Sequence, residues 1–248
     1  MAKMRFALNV DHVATIRNAR GENQPDPVTI ALIAEEAGVD GIVVHLREDR
    51  RHITERDVRL LRELLKTKLD LEMAATEEII KIACDVGPEL ATLVPEKRQE
   101  LTTEGGLNVI DNVSLLKETI SELHNSDINV SLFIEPDLKQ IDTAAEIEAD
   151  FVEIHTGIFA NAVGEIEQYE ELERINLAVK HAKKLELEVN AGHGLDYHNI
   201  KIFRTIPDID ELSIGHAIIA RAVSVGITEA VREMIRLINY KIPLNGDK

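Results

Sequence analysis

Eight times along this chain an apolar run of about four to six residues ends in an ionisable residue or a glycine. That recurrence restricts the fold more than any other feature. The runs are FALNVDH, GIVVHLR, LDLEMA, LATLVPE, NVSLFIEP, FVEIHT, EVNAGHG and LSIGHA. Near-continuous apolar strands belong to parallel sheets covered on both faces, and parallel neighbours need a crossover, usually a helix. The segments between the runs supply it. Asp26-Pro27 reads as an N-cap followed by proline in the first helical position, with the helix ending at Gly38. Thr54 is predicted to cap ERDVRLLRELL, whose Val58, Leu61 and Leu65 share one face. Thr76 and Asp137 read as the caps of later helices, 109–125 and 165–185 read as helical, and TEAVREMIRLINY turns Val231, Met234, Ile235 and Ile238 inward.

Strand followed by helix, repeated eight times, predicts a (β/α)8 barrel in which residues 1–248 form one domain. The 248 residues fit a fold that typically takes about 250, and no Ser/Gly-rich linker divides them. An open doubly wound sheet is the alternative. It lacks support, because no glycine-rich phosphate fingerprint follows the first strand.

The net charge of −17 argues against a nucleic-acid or anionic-membrane partner, since both want a basic face. Anionic substrates would have to be held by local arginines and backbone N–H groups, so each cluster of basic residues becomes informative. The single cysteine, Cys84, lies in a helical pattern and reads as buried filler suited to a reducing compartment. The N-terminal apolar run stops at Asn9 and no run approaches the roughly 18 residues of a membrane span, so a cytoplasmic location is expected.

In such a barrel the chemistry sits at the C-terminal ends of the strands. That rim is predicted to hold Asn9, Asp11, His12, His45, Arg47, Glu72, Glu153, His155, Asn190, His193 and His216. Several histidines converging on one mouth suit repeated proton transfers. Glu72 lies in the middle of an apolar run, where a carboxylate is either functional or paired by a nearby arginine. The stretch after the first strand, TIRNARGENQPDP, reads as a long polar loop carrying Arg17 and Arg20, or else Asp11 caps a short helical turn there. Arg47, Arg50, Arg51 and His52 form the densest basic cluster and could clamp a phosphate. Glu96 to Leu107 reads as a lid with a Gly105-Gly106 hinge and with Lys97, Arg98, Thr102 and Thr103 for anion binding. Gly192, Gly194 and Gly215 follow strands seven and eight, where barrels bind phosphate through backbone N–H groups. No lysine is predicted within a strand, and Lys97 alone lies close behind one. Carbonyl–amine chemistry would then use an amine brought by the substrate rather than an enzyme Schiff base.

The segments NVDHVATIRNARG, GIVVHLREDRRHI, LEMA, LVPEKRQELTTEGGL, VSLFIE, EIHTG, VNAGHGLDYHN and IGHAIIARAV resemble those of the pyridoxine 5′-phosphate synthase family. The likeness runs from residue 5 to about residue 238, leaving the tail KIPLNGDK without a counterpart. It implies condensation of 3-amino-2-oxopropyl phosphate with 1-deoxy-D-xylulose 5-phosphate to give pyridoxine 5′-phosphate, phosphate and water. Asn9, Arg20, Gly194, Gly215 and His216 would hold the first substrate. Asp11, His12, Arg47, His52 and Thr102 would hold the second. The resemblance makes His45 and Glu72 proton acceptors, His193 a proton donor, and Glu153 the stabiliser of a cationic or carbinolamine-like transition state. It also implies a homo-octamer.

No metal and no other cofactor is expected, because neither metal-ligand spacing nor a nucleotide loop is readable. A metal-dependent hydrolase using His12, Glu72, His155 and His193 is the competing enzyme class, and a non-catalytic phosphate-binding or scaffold protein is the competing non-enzyme class.

Overall fold

A computed structural model describes residues 4–96 and 105–239. Eight parallel strands close on themselves: β1 (Arg5–Asn9), β2 (Gly41–His45), β3 (Lys68–Met73), β4 (Leu90–Leu93), β5 (Asn129–Ile134), β6 (Phe151–His155), β7 (Glu188–Gly192) and β8 (Glu211–Ile214). Each pairs with its neighbours in chain order and β1 pairs with β8, so the sheet has no edge. The expected (β/α)8 barrel is what these residues form. The helices outside it are α1 (Asp11–Arg20), α2 (Pro27–Ala37), α3 (Glu55–Leu64), α4 (Glu77–Val86), α5 (Val113–His124), α6 (Leu138–Glu146), α7 (Gly157–Asn161), α8 (Glu165–Lys184), α9 (His216–Val225) and α10 (Ile227–Asn239).

Local chemistry explains most of the boundaries. The Asp26 carboxylate accepts the Val28 N–H at 2.9 Å, Pro27 opens α2, and Gly38 closes it at φ 109°, a conformation that favours glycine. Asp137 accepts from Lys139 and Gln140 at the start of α6. Thr54 precedes α3 and gives its own N–H to Asp57 at 3.0 Å. Thr76 occupies the cap position of α4, but its hydroxyl has no hydrogen-bond partner among the described residues, so it does not act as the cap that the sequence suggests. In α10, Ala230, Val231, Met234 and Ile238 are buried, and Cys84 packs partly buried against the core.

Three expectations are corrected. The polar stretch after β1 is mostly helix rather than loop: α1 runs to Arg20 and Gly21 caps it at φ 67°. Its inward residues are Val13, Ala14 and Arg17, and the Arg17 guanidinium grips Asp57 of α3 at 2.8 and 2.9 Å with both partners buried. Arg17 is therefore a structural anchor, and tertiary pairing stabilises a helix whose local pattern is too polar to announce itself. Second, the seventh crossover has a 3-10 turn, Ile200–Thr205, where a helix is expected. Third, β3 does contain a lysine, Lys68, at the end remote from the mouth and bonded to Glu211. The segment 97–104, including Lys97, Arg98, Thr102, Thr103 and most of the predicted lid, lies outside the described residues.

Paired positions on parallel strands face the same way, so the register sorts side chains into two surfaces. Phe6, Leu8, Ile42, Leu71, Leu132, Ile154 and Val189 pack outward beneath the helices, all essentially inaccessible. The interior is polar instead. Asp70, Thr92, Ser131, Glu153, Asn190 and Glu211 are buried inside the barrel, and Thr92 donates to Asp70 at 2.8 Å. Ser131 Oγ, Glu153 Oε2, Asn190 Oδ1 and Glu211 Oε2 have no hydrogen-bond partner among the described residues. Such groups are costly to hold out of water, which makes protonation the cheaper state for Glu153.

Candidate active site

The first half of the mouth is organised by Asp11, which opens α1 directly behind β1. Its N–H donates to Asn9 Oδ1 at 2.9 Å, its Oδ2 accepts from Asn9 Nδ2 at 3.0 Å, and its Oδ1 accepts the His45 N–H at 2.9 Å. One carboxylate thereby fixes the ends of two strands. Asn9 Nδ2 also reaches Glu72 Oε2 at 3.5 Å, and β2 and β3 place His45 directly beside Glu72. The His45 ring lies between two carboxylates: Nε2 is 2.8 Å from Glu96 Oε1, while Nδ1 is 3.9 Å from Glu72 Oε2. A ring tethered at one nitrogen and turned toward a carboxylate at the other is suited to moving protons.

The basic cluster after β2 separates into distinct roles. Arg50 pairs with Glu55 at 2.7 Å and with Glu78, and Arg51 pairs with Asp49 at 2.6 Å. Arg47 is buried and reaches Asp49 at 3.3 Å. Arg51 is also the main reason that the Asp49 carboxyl is held well below the ordinary carboxylate range, against the opposing effect of burial. His52 lies 5.9 Å from His45, ring to ring, with its Nδ1 accepting the Ile53 N–H at 2.9 Å. Burial pushes its proton affinity down, with Asp11 opposing.

On the other side of Asn9, Gly215 precedes α9 and His216 begins it. A Cβ on Gly215 would come 3.0 Å from the Asn9 Cβ, so glycine lets β8 close against β1. His216 meets His12 with ring centroids 5.0 Å apart, and burial lowers the His12 proton affinity. The first turn of α9 is thus next to two imidazoles, a setting in which backbone N–H groups and the helix dipole favour an anion. Arg20 stands apart from this group. It is 78% exposed at the end of α1, with Glu22 at 3.7 Å.

The third group forms where β5, β6 and β7 end. His193 has φ 80° and Gly194 φ 79°, so the chain turns sharply after Gly192 and presents the imidazole at the mouth. A Cβ on Gly192 would lie 2.4 Å from Glu153 Oε1, so this glycine makes room for the carboxyl below it. Burial, followed by the charges of Asp70 and Glu211, raises the Glu153 pKa to about 8. Burial followed by Glu153, Asp11 and Asp70 raises Glu72 well above its ordinary value, and burial raises Asp70 to about 6. His193 shifts the other way, to about 4, through burial and then His155. A cavity of about 680 Å³ opens beside it, lined by His155, Gly157, Asn161, Glu167, Glu170 and Glu171 among others.

The rim predicted from the sequence is therefore brought together, with Arg20 displaced outward and Thr102 outside the described residues. Two carboxylates were missed. Glu96 and Glu135 end the runs LATLVPE and NVSLFIEP, and each engages a rim histidine. The four residues of the metal-hydrolase alternative are not assembled as ligands. Among the described residues, the group of three whose ligand-type atoms all fall within 4.8 Å of one another is Asp11, His45 and His52.

Residues 6–240 match the family model described as pyridoxal phosphate biosynthesis protein PdxJ. The chain belongs to the PdxJ family. Among its relatives, the pyridoxine 5′-phosphate synthase of Syntrophobacter fumaroxidans is 58% identical over 235 residues, covering 95% of this chain and 99% of the relative. The synthase of Chlorobium phaeobacteroides is 59% identical over 95% of this chain and 100% of its own length. Phosphoribosyl anthranilate isomerase from Thermus thermophilus shares the barrel at TM-score 0.60 and 13% identity, over 95% of this chain and 98% of that one. That likeness speaks to the fold alone. As a PdxJ protein, the chain is an enzyme of pyridoxal phosphate biosynthesis.

Proposed function

We propose that this PdxJ protein condenses 3-amino-2-oxopropyl phosphate with 1-deoxy-D-xylulose 5-phosphate to form pyridoxine 5′-phosphate, phosphate and water. The observation that carries the reading is the His45 ring set between Glu72 and Glu96 at the same mouth as Arg47, His52 and the start of α9. Joining a ketone to an amine and closing an aromatic ring requires protons to be taken from carbon and nitrogen and delivered to departing hydroxyls. His45 and Glu72 take protons and His193 gives one. Glu153, buried below Gly192, faces the positive charge of an iminium or carbinolamine-like species. Arg47, His52, Asp11 and His12, with Thr102, hold the pentulose phosphate. Asn9, Gly194, Gly215 and His216 hold the amino-ketone phosphate, and Arg20, which stands outside the group at the exposed end of α1, would have to swing inward to join them. The nearest described lysine to the barrel interior, Lys68, is bonded to Glu211 away from the mouth, in keeping with an amine supplied by the substrate.

The test is incubation of the purified protein with both phosphates, followed by the pyridoxine chromophore. Product is expected only when both are present, and undiminished after exhaustive chelation. No product from the pair, or strict dependence on a divalent ion, would overturn the proposal.

A further inference from the structure

His193 has neighbours for which the reaction as described gives no role. His155 Nδ1 lies 2.7 Å from Glu135 Oε1, and the same oxygen accepts the Gly106 N–H at 3.0 Å. Burial works against ionisation of Glu135, but the bonds from His155 and then Gly106 outweigh it and hold the carboxyl below its ordinary value. An ionised carboxylate can only accept, so His155 carries its hydrogen on Nδ1 and turns the other nitrogen away. That nitrogen, Nε2, is buried and has no hydrogen-bond partner among the described residues.

The His155 ring meets His193 edge to face at 4.9 Å, and Phe133 closes against both at 5.2 and 6.4 Å. Gly157 shows how close the fit is. A Cβ there would lie 2.4 Å from His155 Nε2 and 3.0 Å from His193 Cδ2, so the two rings converge over a residue that has no side chain. His155 Nε2 and His193 Cδ2 thus both border the space above Gly157, which leaves the two rings in direct contact. The Thr156 hydroxyl, 2.6 Å from the His193 carbonyl oxygen, fixes the backbone from below.

We propose that Glu135 and His155 are positioning residues for His193: Glu135 fixes the His155 ring, that ring packs against the His193 imidazole and holds it at the mouth, and the Glu135 carboxylate behind the pair supplies negative charge. This rests on His193 acting as the proton donor of the reaction proposed above. Other titratable groups near the imidazole are Glu167, Glu170 and Glu171 of α8, which share its cavity, and Glu153 of β6, which lies under the neighbouring Gly192 and is kept protonated by burial. Among these, Glu135 is the one linked to His193 through a ring in direct contact.

Glu135→Gln keeps an acceptor for His155 while removing the charge. His155→Phe keeps an aromatic packing on His193 while breaking the link. Each is expected to lower kcat by about tenfold, Glu135→Gln through one unit of proton affinity and His155→Phe through a misplaced imidazole, with KM for either phosphate within about twofold. Because His193 must be protonated to act, the alkaline limb of the kcat–pH profile should move to lower pH in Glu135→Gln, whereas His155→Phe, which removes a ring that opposes protonation of His193, should not move it that way. The double variant should be no worse than either single one. By NMR, the wild-type His193 signal should move as pH falls toward 4 but stay in its neutral position in Glu135→Gln. An unchanged His193 titration, kcat losses that add in full, or a loss confined to KM would overturn the proposal. Absence of product with the wild-type enzyme would sink the reaction instead, and the NMR comparison would still decide the role of Glu135.

Discussion

At the scale of single residues, Glu72 is the group on which the proposed reaction depends most. Burial and three neighbouring carboxyls raise its pKa, so it becomes a better proton acceptor once ionised and is ionised less often near neutral pH. The rate should therefore climb with pH across a window above the usual carboxyl range. Glu72→Gln preserves the contact to Asn9 and removes the base. A loss of about 10²- to 10⁴-fold in kcat, with substrate affinity nearly kept, is the expected outcome of steady-state kinetics and a binding titration. Near-normal turnover would make Glu72 structural and leave His45 as the acceptor. Gly192→Ala tests the support below. Its methyl group would displace Glu153 from a 2.4 Å approach, so kcat should fall although no ionisable group is removed.

At the scale of elements, strands were legible and one helix was not. LDLEM alternates visibly, with leucines outward and Asp70 and Glu72 inward, and the capped segments such as Asp26-Pro27 to Gly38 read correctly because cap chemistry is local. The helix α1 was missed because its stability comes from across the molecule, through Arg17 and Asp57. Glu96 and Glu135 were visible at the ends of their runs. What made them important is pairing with His45 and His155 from other strands, which spacing cannot show. The anchor can be tested directly. Arg17→Met leaves Asp57 fully buried with one charge partner gone, a loss that typically costs about 3–5 kcal/mol. Denaturant unfolding should show it, together with weakened substrate binding, because α1 carries Asp11 and His12. Unchanged stability would mean that Arg56, 3.0 Å from Asp57, suffices.

At the scale of the whole molecule, the acidic barrel interior should give this protein an unusual dependence of stability on pH. A carboxyl whose folded pKa is raised binds its proton more tightly when folded, so its contribution is fully present below the unfolded pKa and is lost as pH rises through the folded one. Glu153, raised to about 8, and Glu72 act in this sense. Below pH 6.5 the histidines oppose them. His193, lowered to about 4, gives stability that grows between there and its unfolded value of 6.5. Above pH 6.5 that compensation has ended, and the carboxyls act alone. Carboxyls with lowered values, such as Asp26, Glu55 and Asp57, matter only in acid, where their contribution disappears. Stability should therefore decline between about pH 6.5 and 8, by about 2 kcal/mol for each proton released. Glu153→Gln is neutral throughout and should remove most of one proton's share. The variant should thus gain on the wild type as the medium becomes alkaline, with little difference near pH 5. Denaturant midpoints at pH 5, 6.5 and 8 measure this. Parallel declines in the two proteins would show that Glu153 is not the group releasing the proton, and would move the assignment to Glu72.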